Sequence, residues 1–154
     1  MPFQAPADGV LLPPYRILDL TGPEGVFCGK LLADYGADVV KIEPPGGDAA
    51  RQRPPFIGDQ LGPERSSYFL FYNTNKKSVT LGLESSQGQD LFKKMVATAD
   101  VVIESFPVGY MKSLGLEFDS LKTANPGLVM ASITPFGQTG PWKDYKSSDL
   151  ISLA

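Results

Sequence analysis

The sequence of 154 residues contains no histidine and only one cysteine, Cys28. Without histidine, neither a Ser-His-Asp nor a Cys-His nucleophilic arrangement can form within this chain. A single cysteine cannot form an internal disulfide and, without histidine, it cannot complete a zinc site. We therefore expect no metal site and a reducing, cytoplasmic environment, with any chemistry carried by carboxylates, lysines or hydroxyl groups.

Long apolar runs and an excess of positive charge are also absent. No apolar run approaches the roughly 20 residues that a membrane-spanning helix needs, and residues 1–14 lack the charged start and apolar stretch of a signal peptide. The formal net charge of −3 argues against a dedicated nucleic-acid-binding protein, which attracts phosphates with a basic surface. We expect neither a membrane nor a nucleic-acid partner.

The composition that remains, 42% hydrophobic and 20% charged, is typical of one globular domain. Residues 1–14 are rich in proline and have no period, which predicts an irregular lead-in, and residues 15–154 are predicted to form the domain. The last residues enter an apolar helical stretch without a polar tail or a C-cap. Such an ending is typical of a fragment of a longer protein, so we expect a truncated fold.

Short β-prone runs alternate with helical periods along the chain, and this alternation predicts an α/β fold: a doubly wound, mostly parallel sheet with flanking helices. In such sheets ligands bind at the carboxyl ends of the strands. A capping box at Ser86 and Gln89 predicts the start of one helix, and Asp119 or Ser120 is predicted to cap another. The predicted strands are Arg16–Leu20, Asp38–Ile42, Ser78–Leu83, Val101–Glu104 and Leu128–Thr134, and the predicted helices are Val26–Tyr35, Ser67–Tyr72, Gln87–Thr98 and two short ones between Val108 and Ala124.

Between Glu43 and Ser66, five prolines and four glycines predict a long loop. The segment from Arg51 to Lys77 contains five basic and two acidic residues, so its net charge is +3 in a chain whose net charge is −3. Long loops in compact domains are usually functional or disordered. The segment is therefore either a surface excursion or a site for a small polyanion such as a phosphorylated cofactor.

Three further features have both a structural and a functional interpretation. Gly22, Gly25 and Gly29 follow the first predicted strand, but the turn lacks the G-x-G-x-x-G of a dinucleotide site, so tight packing is favoured over nicotinamide binding. Cys28 is expected on the core side of a helix as a small hydrophobic residue rather than a nucleophile. Residues 73–77 (NTNKK) form either a solvated connection or a phosphate site, and residues 136–142 (FGQTGPW) form either a stiff turn or a binding loop.

Five segments in the same order resemble the family III CoA-transferases, also called the CaiB/BaiF family. The resemblance covers residues 15–154 and only the amino-terminal portion of a longer family pattern. The segments are LLADYGADVVKIEPPGGD (31–48), NTNKKSVTLGL (73–83), DVVIESF (100–106), LGLEF (114–118) and ITPFGQTGPW (133–142).

The resemblance implies a Rossmann-like domain that binds coenzyme A or an acyl-CoA as substrate, with no tightly bound cofactor. It also implies transfer of CoA between carboxylic acids through an aspartyl-CoA intermediate, in a homodimer of interlocked subunits. A carboxylate is ionised at neutral pH and is a nucleophile that needs no histidine. The family's aspartate is expected beyond Ala154, so no catalytic residue is assigned, and Asp149 is interpreted as a helix cap.

The CoA contacts that the resemblance implies fall at Glu24, Pro44, Leu81, Ser105, Phe106, Ser113, Leu114 and Lys146. Pro44 and Ser113 occupy positions where some relatives have arginines for phosphate. Neighbouring cations such as Arg51, Arg53 or Lys76 are therefore expected to supply that charge.

Expressed alone, this chain is expected to bind CoA weakly or not at all and to have no turnover. The alternatives are an inactive binding or assembly module and an acyl-CoA racemase or isomerase. The resemblance implies that racemases of the family use a histidine, and its position falls near Ser148 in this chain. The racemase is therefore disfavoured.

Overall fold

In the computed structural model, which describes residues 11–148 and 150–151, five strands form one sheet. All four strand pairings are parallel, and the order is β3-β2-β1-β4-β5. This confirms the predicted α/β fold. The strands are β1 (Arg16–Leu20), β2 (Asp38–Glu43), β3 (Lys77–Thr80), β4 (Val101–Glu104) and β5 (Val129–Ser132).

The helices occur at the predicted places, with bounds that differ by a few residues. They are α1 (Val26–Asp34), α2 (Ser67–Tyr72), α3 (Ser86–Val96), α4 (Tyr110–Ser113) and α5 (Phe118–Ala124). The predicted long loop between β2 and α2 contains two short 3₁₀ turns, Ala49–Gln52 and Ile57–Asp59. Most of the predicted lead-in, residues 1–10, lies outside the described residues.

Both predicted helix caps are wrong. The N-cap of α3 is Ser85, which has extended backbone angles and accepts a hydrogen bond from the Gly88 N–H at 3.0 Å, so Ser86 is already helical. Helix α5 begins at Phe118, before both predicted caps, and Glu117 precedes it without a capping hydrogen bond. The Ser120 hydroxyl instead donates to the Gly115 carbonyl. Asp119 lies in the first turn of α5, where the helix dipole stabilises a negative charge.

The core lies on both faces of the sheet because neighbouring strand residues point to opposite sides. On one face, Leu18 of β1 belongs to the larger cluster, which α3, α4 and α5 cover. On the other face, Ile17 packs with Ala33 of α1. Cys28 is half-buried against this second cluster, and burial, with the nearby Asp19 charge, raises the pKa of its thiol. The structure therefore places Cys28 beside the core, and its lack of a nucleophilic role stays a prediction.

Within residues 11–148 and 150–151, no helix has the length and apolar character needed to cross a membrane. The same residues contain no group of three or more His, Cys, Asp or Glu side chains that could hold a metal ion.

Candidate functional site

The carboxyl ends of β1 and β4 meet at the centre of the sheet. After β1 the chain adds β2 and then β3 on one side of it. It then returns to the other side of β1 and adds β4 and β5, so the strand order reverses between β1 and β4. Ligands of doubly wound sheets bind in the crevice at such a switch point. Here the turn after β1 contacts the loop after β4, because the Gly22 N–H donates to Ser105 Oγ at 2.7 Å.

A cavity of about 620 Å³ opens at this switch point, and we call it the β1–β4 cavity. It includes four residues to which the resemblance assigns CoA contacts, namely Glu24, Ser105, Phe106 and Lys146. The structure therefore brings together residues that lie up to 122 positions apart in the sequence. Its lining residues are Glu24, Ser105, Phe106, Pro107, Val108, Ile133, Thr134, Pro135, Lys143, Asp144, Tyr145, Lys146 and Ser147.

The cavity contains one cation without an acidic partner among the described residues. Lys143 is paired with Asp144 at 2.8 Å, whereas Lys146 is exposed and forms no ion pair within the described part of the chain. The Thr134 hydroxyl, also in the lining, is buried and has no hydrogen-bond partner among the described residues. Because buried polar groups are normally paired, this hydroxyl suits a polar ligand atom. The lining thus offers a positive charge and a hydroxyl.

A smaller apolar slot of about 170 Å³ adjoins this cavity and shares Phe106 with it. It brings together two more predicted contacts, Pro44 and Leu81. The Phe106 and Tyr110 rings lie 4.6 Å apart, and the Tyr110 hydroxyl donates to Glu84 Oε1 at 2.7 Å. That carboxylate raises the pKa of Tyr110 to about 12. The slot is lined by Leu20, Ile42, Pro44, Leu81, Leu83, Glu84, Phe106 and Tyr110.

Sequence reasoning missed Glu104 as a site residue, although it is the last residue of β4. Its side chain is buried, and one of its carboxylate oxygens accepts a hydrogen bond from the Phe106 N–H at 2.7 Å. This bond fixes the start of the loop that carries Ser105 and Phe106. The sequence feature that could have identified Glu104 is a charged residue at the end of an otherwise apolar strand. Glu104 also lines a third cavity, of about 500 Å³, on the β5 side of this loop.

Of the eight contacts placed directly by the resemblance, two lie apart from the three described cavities. Ser113 is exposed, and its hydroxyl donates to the Tyr110 carbonyl at 2.7 Å within α4. Leu114 is half-buried and packs against the larger core cluster. Their contact with CoA stays a prediction.

Arg51, which was expected to supply charge to a phosphate, is already bound by carboxylates. Its Nε and Nη2 donate to Glu43 at 2.6 and 2.7 Å, and Nη1 donates to Glu64 at 2.7 Å. The guanidinium also lies 3.8 Å from the centre of the Phe69 ring. Burial opposes ionisation of Glu43, but hydrogen bonds from Arg51 and Ser78 outweigh it and lower its pKa to about 2. Arg51 therefore fixes the loop after β2.

Lys76 is likewise enclosed, with 1% of its side chain exposed. Its ammonium donates to Asp19 Oδ2 at 2.8 Å, Asn73 Oδ1 at 3.0 Å and the Val26 carbonyl at 3.2 Å. Burial lowers the pKa of Lys76, and the Asp19 charge opposes that effect. Neither Lys76 nor Arg51 lines a described cavity, so their contact with CoA stays a prediction.

Gly25, at the end of the first turn, and Gly29, within α1, allow the helix to approach β1 closely. A Cβ atom on Gly25 would lie 2.7 Å from Thr21 Cγ2, and one on Gly29 would lie 2.2 Å from Asp19 Oδ2. Both positions therefore exclude a larger residue unless the helix moves away. These contacts agree with the packing interpretation that the sequence favoured over a dinucleotide fingerprint.

The predicted binding loop, residues 136–142, leads from β5 toward the β1–β4 cavity. Gln138 lines the third cavity, and the Phe136 ring lies edge-on to Tyr145 with their centres 6.2 Å apart. Trp142 is 62% exposed. A role for this loop in binding stays a prediction, and Asp149, interpreted as a helix cap, lies outside the described residues.

Comparison with known proteins gives consistent matches over nearly the whole chain. The model of CoA-transferase family III matches residues 12–154. The chain is 39% identical over 140 residues to succinyl-CoA:(R)-benzylsuccinate CoA-transferase subunit BbsE of Thauera aromatica, covering 91% of this chain and 34% of that protein. It is 41% identical over 153 residues to acetyl-CoA:oxalate CoA-transferase of Acetobacter aceti, covering 98% of this chain and 37% of that protein.

A solved structure has the same fold. A CaiB/BaiF family protein from Brucella suis superposes with a TM-score of 0.81 at 40% identity, covering 89% of this chain and 36% of that one. The chain thus spans about a third of the length of the relatives that it matches.

Proposed function

Since this chain belongs to CoA-transferase family III, we propose that it binds coenzyme A or an acyl-CoA in the β1–β4 cavity, for transfer of CoA between carboxylic acids. One observation carries this proposal: Glu24, Ser105, Phe106 and Lys146, four implied CoA contacts from distant parts of the sequence, line a single cavity at the switch point. The relatives compared are named CoA-transferases, which favours this function over an assembly module or a racemase.

The two adjoining spaces suit two different groups of the nucleotide portion of CoA, its phosphates and its adenine. Lys146 offers its ammonium to the phosphates, because a charge-assisted hydrogen bond to phosphate is among the stronger polar contacts. The apolar slot, with Pro44, Leu81 and the Phe106 ring, suits the planar adenine group. Phe106 lies between both spaces, and Glu104 fixes the backbone that carries it.

In the proposed reaction, an aspartate attacks the acyl-CoA thioester and forms a mixed anhydride and free CoA thiolate. The thiolate then attacks the aspartyl carbonyl, releasing the first acid and leaving an aspartyl-CoA thioester. The acceptor carboxylate then attacks the carbonyl of this thioester, which forms a second mixed anhydride and releases the CoA thiolate. The thiolate attacks the acceptor's acyl carbonyl, giving the new acyl-CoA and the free aspartate. No described residue is assigned to that aspartate, so this chain's residues bind and orient CoA, and backbone donors stabilise developing oxyanions.

The relatives are about three times as long as this chain, so the complete activity is proposed for the whole enzyme. The homodimer that the resemblance implies and a cytoplasmic location are proposed in the same sense. A steady transferase rate from residues 1–154 alone would contradict the assignment of catalysis to an aspartate outside them.

The binding part of the proposal is tested by titrating this chain with CoA in an isothermal titration calorimeter. We expect weak, saturable binding that Lys146→Met reduces about tenfold, the effect of losing one charge-assisted hydrogen bond. The matched control is Lys94→Met, because Lys94 is exposed in the last turn of α3 and lines none of the described cavities. Equal affinities for Lys146→Met and the unsubstituted chain would exclude Lys146 as the phosphate ligand.

A further inference from the structure

A buried cluster of four charges lies beneath the turn that joins β1 to α1. Asp19 of β1 is fully buried, and Lys41 of β2 is 2% exposed. The side chain of Lys76 is 1% exposed, and that of Asp48 is 13% exposed. The ion pairs Lys76–Asp19 and Lys41–Asp48 each measure 2.8 Å. Both acids therefore meet a lysine away from solvent.

Asp19 and Lys41 each bind the beginning of this turn. Asp19 Oδ1 accepts hydrogen bonds from the Thr21 N–H at 2.8 Å and from the Thr21 hydroxyl at 2.6 Å. From the other side, the Lys41 ammonium donates to the Thr21 backbone carbonyl. All three polar groups of Thr21 are thus bound by buried charges.

Lys76 binds the end of the same turn. While it is paired with Asp19, its ammonium also donates to the carbonyl of Val26, the first residue of α1. The backbone of Gly29 packs directly against this pair, because a Cβ there would lie 2.2 Å from Asp19 Oδ2 and 3.0 Å from Lys76 Nζ. The cluster consequently fixes the chain on both sides of residues 22–25.

The fixed turn forms one wall of the β1–β4 cavity. Glu24 lines that cavity, and the Gly22 N–H donates to Ser105 Oγ on the opposite loop. Buried ion pairs contribute little to stability because both charges lose their hydration. Apolar residues of similar volume often replace such pairs without lowering the free energy of unfolding. Stability alone therefore does not explain why charges occupy these positions.

We propose that Lys41 and Lys76 are positioning residues, which act through Asp19 and Thr21 to hold the turn after β1 in its ligand-binding geometry. In this arrangement neither lysine touches the ligand, so for Lys76 the proposal replaces the predicted direct contact with CoA. The inference rests on the proposed binding of CoA in the β1–β4 cavity, but its structural part applies to the chain without ligand.

The test combines two measurements on Lys41→Met and Lys76→Met. In the unliganded chain, we expect the amide ¹H–¹⁵N signals of Gly22 and Ser105 to shift while the dispersed spectrum of a folded protein is retained. Calorimetric titration with CoA is expected to show about a tenfold loss of affinity. The matched control is Lys30→Met, which removes the Lys30–Asp34 ion pair of α1, at 2.8 Å, without touching the turn.

Asp48→Asn provides a variant of unchanged shape should a lysine variant fail to fold, because it removes only the charge that pairs with Lys41. It is expected to give the same two effects to a smaller extent. Folded variants with unshifted Gly22 and Ser105 signals, or with unchanged CoA affinity, would overturn the inference. If the unsubstituted chain binds no CoA, the proposed binding of CoA by this chain alone fails, whereas the amide signals still decide whether the lysines hold the turn.

Discussion

Replacing Gly29 with alanine sets two physical effects against each other. In a helix interior, alanine is favoured over glycine by about 1 kcal/mol. The new Cβ, however, would lie 2.2 Å from Asp19 Oδ2. Asp19 cannot yield easily, because Thr21 and Lys76 bind both of its carboxylate oxygens. Helix α1 must therefore move away from β1.

Overpacking of a buried site destabilises a protein by roughly 1–3 kcal/mol, and separation of the buried Asp19–Lys76 pair adds to that loss. We expect Gly29→Ala to lower the free energy of unfolding by about 2 kcal/mol net. The assay is urea denaturation followed by circular dichroism. The control is Asp90→Ala, at an exposed position of α3, which is expected to change stability by less than about 0.5 kcal/mol. An unchanged or raised urea midpoint for Gly29→Ala would refute the close packing of α1 on this ion pair.

Two further predictions concern ionisation. The pKa of Glu43 is lowered from 4.5 to about 2 in the folded chain, so its contribution to stability is present above about pH 4.5 and is lost as the pH falls toward 2. Urea titrations at pH 7 and pH 3 should therefore show a smaller loss of stability for Glu43→Gln than for the unsubstituted chain, and equal losses would contradict this. The pKa of Tyr110 is raised to about 12 by its bond to Glu84, so ultraviolet titration should show one tyrosine ionising near that pH. Glu84→Gln should move that transition to lower pH, and a transition that stays in place would exclude the bond.

The fold follows from local sequence patterns. Apolar runs such as Val101–Glu104 alternate with helical periods, and that alternation predicts a parallel sheet covered by helices, as is found. Helix ends are less predictable, because Ser85 and Ser86 are both favourable N-cap residues and only the backbone angles select between them.

The candidate site was predictable only in part. Residues that follow strand ends, such as Ser105 and Lys146, converge because carboxyl ends of parallel strands share one edge. The segment from Arg51 to Lys77 is predicted as a site for a polyanion from its local charge alone. The buried carboxylates that pair with Lys76 and Arg51 are Asp19 of β1 and Glu43 of β2, which lie outside this segment of the sequence. Local charge therefore does not predict these two ion pairs. Charged residues within apolar strands, such as Asp19, were the sequence feature that could have indicated buried partners for these cations.

The most direct test of CoA binding at the switch point is a ¹H–¹⁵N NMR titration of this chain with CoA. We predict saturable shifts of the Gly22, Ser105 and Phe106 amide signals, with signals at the amino ends of the strands unchanged. The absence of any saturable shift at millimolar CoA, or shifts confined to the opposite edge of the sheet, would contradict the proposed site.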